Sequence, residues 1–182
     1  SKNSSAKVKA TLRPARRNPH DMGTLPQLTE EDIHKLDAVL REFLTQTEAT
    51  TALVIDKGGF LITHQGAANS FDLTTLGALA SGAFMANQTI AGLVNEPNFS
   101  SIHQQGENFS LYVCSVDEHA LLVVIFSCHV GIVKYFAGNA IKKLAEQLNI
   151  AQHRAPDKGF DLSALNVADT YTVFRKKEKK SA

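Results

Sequence analysis

Two short runs combine side chains that enzymes use for acid–base or nucleophilic chemistry. Asp117-Glu118-His119 sets an imidazole beside two carboxylates, and Cys128-His129 sets a thiol beside an imidazole. Both runs also fit a structural role. The first run has the spacing of a tight turn between two strands. In the second run, Cys128 and His129 are adjacent, and adjacent residues of an extended chain point to opposite faces, so they do not form a pair. We therefore interpret the first as a solvated turn and the second as a capped strand-to-helix junction.

The remaining candidate residues do not indicate a metal or nucleotide site. His34, His64 and His103 are scattered and lack ligand spacing such as H-x-x-x-H. Gly58-Gly59 belongs to neither G-x-x-x-x-G-K-[ST] nor G-x-G-x-x-G, so it is not a phosphate-binding loop. The sequence thus predicts no catalytic residues, no metal and no cofactor, and a protein that is not itself a GTPase.

Length and composition indicate one domain with tails. The chain has 182 residues, of which 43% are hydrophobic, enough for a substantial core. No run of 18 apolar residues and no apolar signal-peptide core occur, so we expect no membrane span and a cytoplasmic location. Cys114 and Cys128 lie in apolar stretches and are expected to be reduced core residues.

Charge divides the chain into three parts. Residues 1–20 carry a net charge of +6 and residues 170–182 carry five bases against Glu178, whereas the segment between them has 8 bases and 17 acids. We expect a disordered basic tail over 1–27, a folded domain over 28–149, and a C-terminal extension over 150–182. The tails could contact nucleic acid, anionic lipid or an acidic partner, or only aid solubility; the acidic body, without aromatic–basic stacking residues, argues against nucleic acid.

Hydrophobic periodicity predicts three helices and five strands. Thr29 is a helix cap with Asp32 at the third helical position, and Lys57-Gly58-Gly59 joins two strands as a hairpin. Ala120–Ser127 is apolar nearly throughout and should be a central strand, while the polar Ser100–Gln105 should be an edge. The predicted elements are helices from Glu30 to about Gln46, from Asp72 to Asn95 and from Val130 to Leu148, and strands over Thr51–Asp56, Phe60–Gln65, Ser100–Gln105, Phe109–Val116 and Ala120–Ser127.

The predicted helix from Asp72 to Asn95 carries no charge inside its body. At about 100° per residue, one broad apolar face is expected to point inward; it comprises Leu76, Leu79, Ala83, Ala86, Ile90, Leu93 and Val94. The opposite strip has small uncharged residues and either receives a close partner or is buried within the monomer; it comprises Thr74, Gly77, Ala78, Ser81, Met85, Gln88, Thr89 and Gly92. On the first reading, Ser81→Arg would block a partner and leave the fold intact.

The element order, the hairpin ALVIDKGGFLITHQG, the small-residue helix and the strand LLVVIF before a helix resemble the Roadblock/dynein light chain family. The resemblance covers about Thr29 to Leu148, and within the family it is strongest to the bacterial MglB-like regulators. It implies a longin-like α/β (α+β) fold, α-β-β-α-β-β-β-α, with one five-stranded antiparallel sheet. It also implies a homodimer in which the third strands pair into a continuous sheet and the paired second helices bind a small Ras-like (MglA-like) GTPase.

The resemblance assigns roles to particular residues. The GTPase-binding residues would be Gly77, Ala78, Ser81, Met85, Gln88 and Thr89, and the dimer interface would be Ser100, Ser101, Ile102, His103, Gln104 and Gln105. Arg175, Lys176 and Lys177 are possible further partner contacts. The implied function is a non-catalytic regulator that stimulates GTP hydrolysis in cell polarity or motility without an arginine finger. Outside the basic tails only Arg41, predicted on a helix, and Arg154, predicted in a loop beyond the domain, are available, and neither is placed to reach a partner's active site; a tail arginine such as Arg175 stays open as an alternative. The alternatives are a structural adaptor without effect on hydrolysis and, from a third class, an enzyme or nucleic-acid binder that uses the basic tails.

Overall fold

A computed structural model describes residues 27–154, and these form three helices and five strands in the predicted order. The sequence-based fold class is confirmed. β2 lies one residue later than predicted, and the last helix continues four residues beyond Leu148. The elements are α1 (Glu30–Thr47), β1 (Thr51–Asp56), β2 (Leu61–Gly66), a short 3-10 turn (Ala68–Ser70), α2 (Leu73–Leu93), β3 (Ser101–Gln105), β4 (Ser110–Ser115), β5 (Ala120–Phe126) and α3 (Val130–Gln152).

The five strands form one antiparallel sheet in the order β2-β1-β5-β4-β3. β5 is the central strand and is buried along its whole length, as its apolar sequence predicts. β3 is an edge strand, also as predicted. β2 is the other edge, and its pairing shifts from Val54–Thr63 to Ile55–Leu61, which leaves Ile62 as an extra residue in a bulge.

Side chains alternate between the two faces of the sheet because successive residues of a strand point in opposite directions. Val54, Leu122 and Val124 contribute to the larger core, which α1 and α3 cover. Leu53 and Val123 contribute to the smaller core, in which Phe84 of α2 is also buried. One face of the sheet therefore carries two helices and the other carries α2 alone.

The start of α1 is fixed by a hydrogen-bonded carboxylate. Thr29 and Asp32 form the predicted capping box, and Asp32 is fully buried. The guanidinium of Arg154 donates to both Asp32 oxygens at 2.7 and 2.8 Å, and the amide of Gln147 donates at 3.0 Å. The sequence analysis put Arg154 in a loop beyond the domain, which is wrong: α3 is longer than predicted, and Arg154 joins its end to the start of α1.

The two runs with acid–base or nucleophilic side chains form a turn and a helix cap, as interpreted from the sequence, but His119 in the turn is largely buried rather than solvated. The carboxylate of Asp117 accepts hydrogen bonds from the backbone N–H groups of His119 and Ala120 at 2.7 and 2.8 Å, in the turn between β4 and β5. Nδ1 of His129 accepts from Gly131 N–H at 3.1 Å and caps α3. The side chains of Asp117 and His129 thus accept hydrogen bonds from the backbone of the turn and of the helix start.

Both cysteines are free thiols, and each contributes to the larger core. Cys114 is buried within that core, and the half-buried Cys128 packs against it. Burial raises the pKa of the Cys114 thiol to about 12. Cys114 is therefore protonated at neutral pH and is not a nucleophile.

Candidate partner-binding surface

The hairpin between β1 and β2 packs against α2 through a reciprocal pair of glycines. Gly59 has a φ of 91°, and a Cβ there would lie 2.7 Å from the Cα of Ala78. A Cβ on Gly77 would in turn lie 3.0 Å from the carbonyl oxygen of Gly59. Residue 59 must therefore be glycine, and a side chain at residue 77 would require the hairpin backbone to move. The hydroxyl of Ser81 then donates to the carbonyl of Lys57, one turn further along α2.

These contacts orient α2 differently from the sequence-based expectation. Gly77 and Ser81 face the protein's own hairpin and are buried, so they do not line an open surface. Gln88 is also engaged internally: its amide donates to the carbonyl of Phe99 at 2.6 Å, and Phe99 N–H donates back at 3.3 Å. The small residues at 77 and 81 do allow close approach, but the segment that approaches them belongs to the same chain.

The exposed side of α2 combines part of the predicted strip with part of the predicted inward face. Ala78, Met85 and Thr89 are exposed, in agreement with the strip. Leu79 and Leu93, expected inside, are 67% and 79% exposed, so that expectation is wrong. We call the exposed set the α2 surface; it consists of Thr74, Thr75, Ala78, Leu79, Gly82, Met85, Ala86, Thr89, Ile90, Gly92 and Leu93.

The α2 surface has the character of a contact surface. None of the 21 residues of α2 is charged. A Cβ added at Gly82 would meet no atom within 4 Å, so the helix backbone itself is accessible there. Exposed apolar side chains that form one continuous patch mark interaction sites more often than scattered ones do. The arrangement is suited to binding a macromolecule through shape and apolar contact.

One exposed aromatic residue follows the contact between the hairpin and α2 and was not singled out by sequence reasoning. Phe60 is 75% exposed and directly follows Gly59, which contacts α2 at Ala78. The sequence analysis assigned Phe60 to the second strand, but β2 starts at Leu61. The sequence did contain a signal, the pair Gly58-Gly59 directly before Phe60. A turn whose glycine packs against a helix also restricts where the next residue lies.

The predicted dimer residues lie together on the free edge of the sheet. β3 pairs with β4 on one side, and Ser101, Ile102 and His103 are half-buried. Gln104 and Gln105 are exposed, and Ser100 immediately precedes the strand. Their role in a dimer stays a prediction. Arg175, Lys176 and Lys177 lie outside the described residues.

Within residues 27–154, no three His, Cys, Asp or Glu side chains are grouped so that they could hold a metal ion. The groove between α1 and α3 is bridged by Lys143 and Glu42 at 2.6 Å and brings no nucleophile together with a base. None of the helices in this range has the length and hydropathy needed to cross a membrane.

Comparison with known proteins places the chain in a family. The sequence matches the Roadblock/LC7 domain over residues 35–126, and the protein belongs to the Roadblock/LC7 family. The protein is similar in structure to the gliding protein MglB of Thermus thermophilus, with 35% identity, a TM-score of 0.64, and coverage of 69% of this chain and 96% of that one. No curated protein sequence matches significantly.

Two further MglB structures agree with this assignment. An MglB structure with a tetrameric arrangement has 34% identity and a TM-score of 0.65, and 69% of this chain covers 96% of that one. MglB of Myxococcus xanthus has 28% identity and a TM-score of 0.65, with coverage of 71% and 98%. The resemblance inferred from the sequence is thus confirmed, and family and fold together support a regulatory, adaptor-type role.

Proposed function

We propose that this protein is a homodimeric, non-catalytic regulator that binds a small Ras-like GTPase of the MglA type and stimulates its GTP hydrolysis. The observation that carries the proposal is the α2 surface, an uncharged apolar helix face left exposed by a domain that resembles MglB. In the proposed dimer, two such surfaces lie side by side and receive the GTPase. We further propose a cytoplasmic location and a role in cell polarity or motility.

The two edges of the sheet support dimerisation through β3. Bulges disrupt the regular row of N–H and C=O groups that a second strand would need. β2 has such a bulge at Ile62, whereas β3 pairs with β4 without a register shift over Ser101–Gln105. A second copy can therefore continue the sheet regularly at the β3 edge but not at the β2 edge.

The positions of the described arginines favour activation without an arginine finger. Arg154 is bound to Asp32. Arg41 is exposed on α1, which packs on the face of the sheet opposite to α2. Neither side chain adjoins the α2 surface, so we propose that stimulation works by repositioning the GTPase's own residues.

The test is the rate of GTP turnover by a purified MglA-type GTPase, with and without a saturating amount of this protein. Leu79→Arg and Met85→Arg place a charge on the two borders of the α2 surface, about 120° apart around the helix. We expect at least one of them to reduce stimulation by more than about tenfold, because a buried unpaired charge opposes binding. Asn139→Arg, an exposed position on α3, is the matched control.

Light scattering during size-exclusion chromatography reports whether each variant is still dimeric. Stimulation equal to wild type in both α2 variants would show that the GTPase docks elsewhere. Binding of the GTP-loaded form without acceleration would identify the protein as an adaptor rather than an activator.

A further inference from the structure

One groove away from the α2 surface brings together three carboxylates. It lies between the second half of α3 and the turn from β4 to β5, has a volume of about 590 Å³, and is lined by residues 117–119 and by Ala145, Glu146, Asn149 and Gln152. Within residues 27–154, neither Asp117 nor Glu146 forms an ion pair, and Glu118 has only His119, at 3.6 Å. We call this the acidic groove; its carboxylates are free to pair with cations from another segment.

The end of α3 adds to the negative potential of the acidic groove. Asn149 and Gln152 belong to the last turn of this helix, and a helix C-terminus carries about half an elementary negative charge. A basic residue there would offset that charge, but the last turn of α3 has none. The guanidinium of Arg154, just beyond the helix, is bound to Asp32 instead. The acidic groove therefore attracts cations more strongly than its side chains alone would.

Both basic tails join the domain beside the acidic groove. Thr29 Oγ1, at the start of α1, lies 3.4 Å from Nη1 of Arg154, and Asp32 accepts a hydrogen bond from Gln147, the neighbour of Glu146 on α3. The N-terminal tail thus enters α1 level with the end of α3, about one helix diameter, roughly 10 Å, from the acidic groove. The C-terminal extension starts at the same end of the domain, after Arg154.

The N-terminal tail suits the acidic groove better than the C-terminal one. Residues 1–20 contain no acid, and three arginines fall within residues 13–17. Arg17 is 10 residues before residue 27, a flexible tether that spans about 15–20 Å. The basic run 175–180 includes Glu178 and begins 21 residues beyond Arg154. Because the local concentration of a tethered segment falls steeply with tether length, the shorter and fully basic tail is favoured.

We propose that the acidic groove binds the arginines of residues 13–17 of the same chain. Guanidinium groups pair with carboxylates through two parallel hydrogen bonds, and their methylene stems can lie along Ala145. α3 covers the face of the sheet opposite to α2, so the bound tail is held away from the α2 surface. The contact involves one chain only and requires neither the dimer nor the GTPase of the proposed function.

The contact is tested with a spin label on the tail of the full chain. Ala15→Cys in a Cys128→Ser background supplies the reactive thiol, because Cys114 is buried and protonated. We expect the NMR signals of amides 117–119 and 146–152 to lose at least about half of their intensity, since a short tether gives a local concentration in the millimolar range. Salt at about 0.5 M should restore them, because it screens exposed charges beyond about 4 Å.

Charge reversal identifies the groove. Glu118→Lys combined with Glu146→Lys should also restore the signals, whereas the matched control, Glu96→Lys combined with Glu107→Lys, reverses two exposed carboxylates elsewhere and should not. Signal loss that persists in the first pair, or equal restoration by both pairs, would overturn the proposal.

Two further samples separate other occupants from the proposed one. A label at Ser181→Cys that broadens amides 117–119 and 146–152 more strongly than the label at residue 15 would make the C-terminal run the occupant and overturn the proposal. Broadening in an isotope-labelled chain mixed with spin-labelled copies would assign the tail to a neighbouring molecule and overturn the contact within one chain.

Discussion

The two faces of the sheet are completed in different ways. On one face, α1 and α3 pack together and are joined by ion pairs at both ends, Lys143–Glu42 and Arg154–Asp32. On the other face, α2 packs alone and has no charged residue. The first face presents mainly charged and polar side chains to water, although Tyr135 of α3 is also exposed, whereas the exposed side of α2 is uncharged throughout and includes Leu79 and Leu93. The difference supports the proposal that the α2 face is completed by contacts outside the monomer.

The largest expected effect distinguishes the two sides of α2 itself. Ser81 and Gly82 are adjacent, but Ser81 is 4% exposed and bonded to Lys57, whereas a side chain at Gly82 has open space. Ser81→Arg should lower the free energy of unfolding by about 4 kcal/mol, because a charge is forced into a packed contact. Gly82→Arg should leave stability within about 1 kcal/mol of wild type. Urea denaturation of both variants measures this.

A stable Ser81→Arg protein would contradict this orientation of α2 and restore the original expectation, in which residue 81 faces a partner. The same pair then separates folding from binding: Gly82→Arg is the folded variant in which loss of GTPase binding has a direct interpretation.

A second prediction concerns the face that the monomer completes by itself. Asp32→Ala should lower the free energy of unfolding by about 3 kcal/mol, because it removes the helix cap and leaves Arg154 and Gln147 without their shared acceptor. Glu42→Gln, in the half-exposed pair with Lys143, should cost less than about 1 kcal/mol. Thermal or urea unfolding of the two variants provides the comparison.

The same carboxylate should make stability depend on pH. Hydrogen bonds from Arg154, followed by those from Thr29, hold the pKa of Asp32 well below its usual range despite burial. A lowered carboxyl pKa stabilises the folded state above the ordinary value of about 4 and progressively less below it. The stability gap between wild type and Asp32→Ala should therefore narrow between about pH 4 and pH 2. A gap that stays constant over that range would mean that Asp32 contributes only as a neutral cap.

The fold could be predicted from sequence because its signals are local. The Thr29–Asp32 capping box, the glycine hairpin and the apolar β5 each have a pattern that one segment contains by itself, and all three are as expected. Arg154 was misplaced because its partner lies 122 residues away, and no local pattern shows such a pair.

The orientation of α2 could not be predicted for a related reason. A helix without charged residues has apolar or small side chains all around, so its periodicity does not single out one buried face. The deciding contact is between Gly59 and Gly77, and it involves backbone atoms of another element. Sequence reasoning thus identified the helix that carries the candidate surface. The centre of the predicted strip, however, lies roughly 80° around the helix axis from the centre of the exposed α2 surface.

The smallest predicted effect tests whether α2 also positions the free edge of the sheet. Gln88 makes two hydrogen bonds with the backbone of Phe99, two residues before β3. Gln88→Ala should lower stability by about 1 kcal/mol, and it should speed amide hydrogen exchange at Phe99 because that N–H loses its acceptor. Thr89→Ala, at the exposed neighbouring position, should change neither. If exchange at Phe99 also rose in Thr89→Ala, the cause would be fraying of α2 rather than loss of the Gln88 contact. If it rose only in Gln88→Ala, this one side chain would link α2 to the free edge of the sheet at β3.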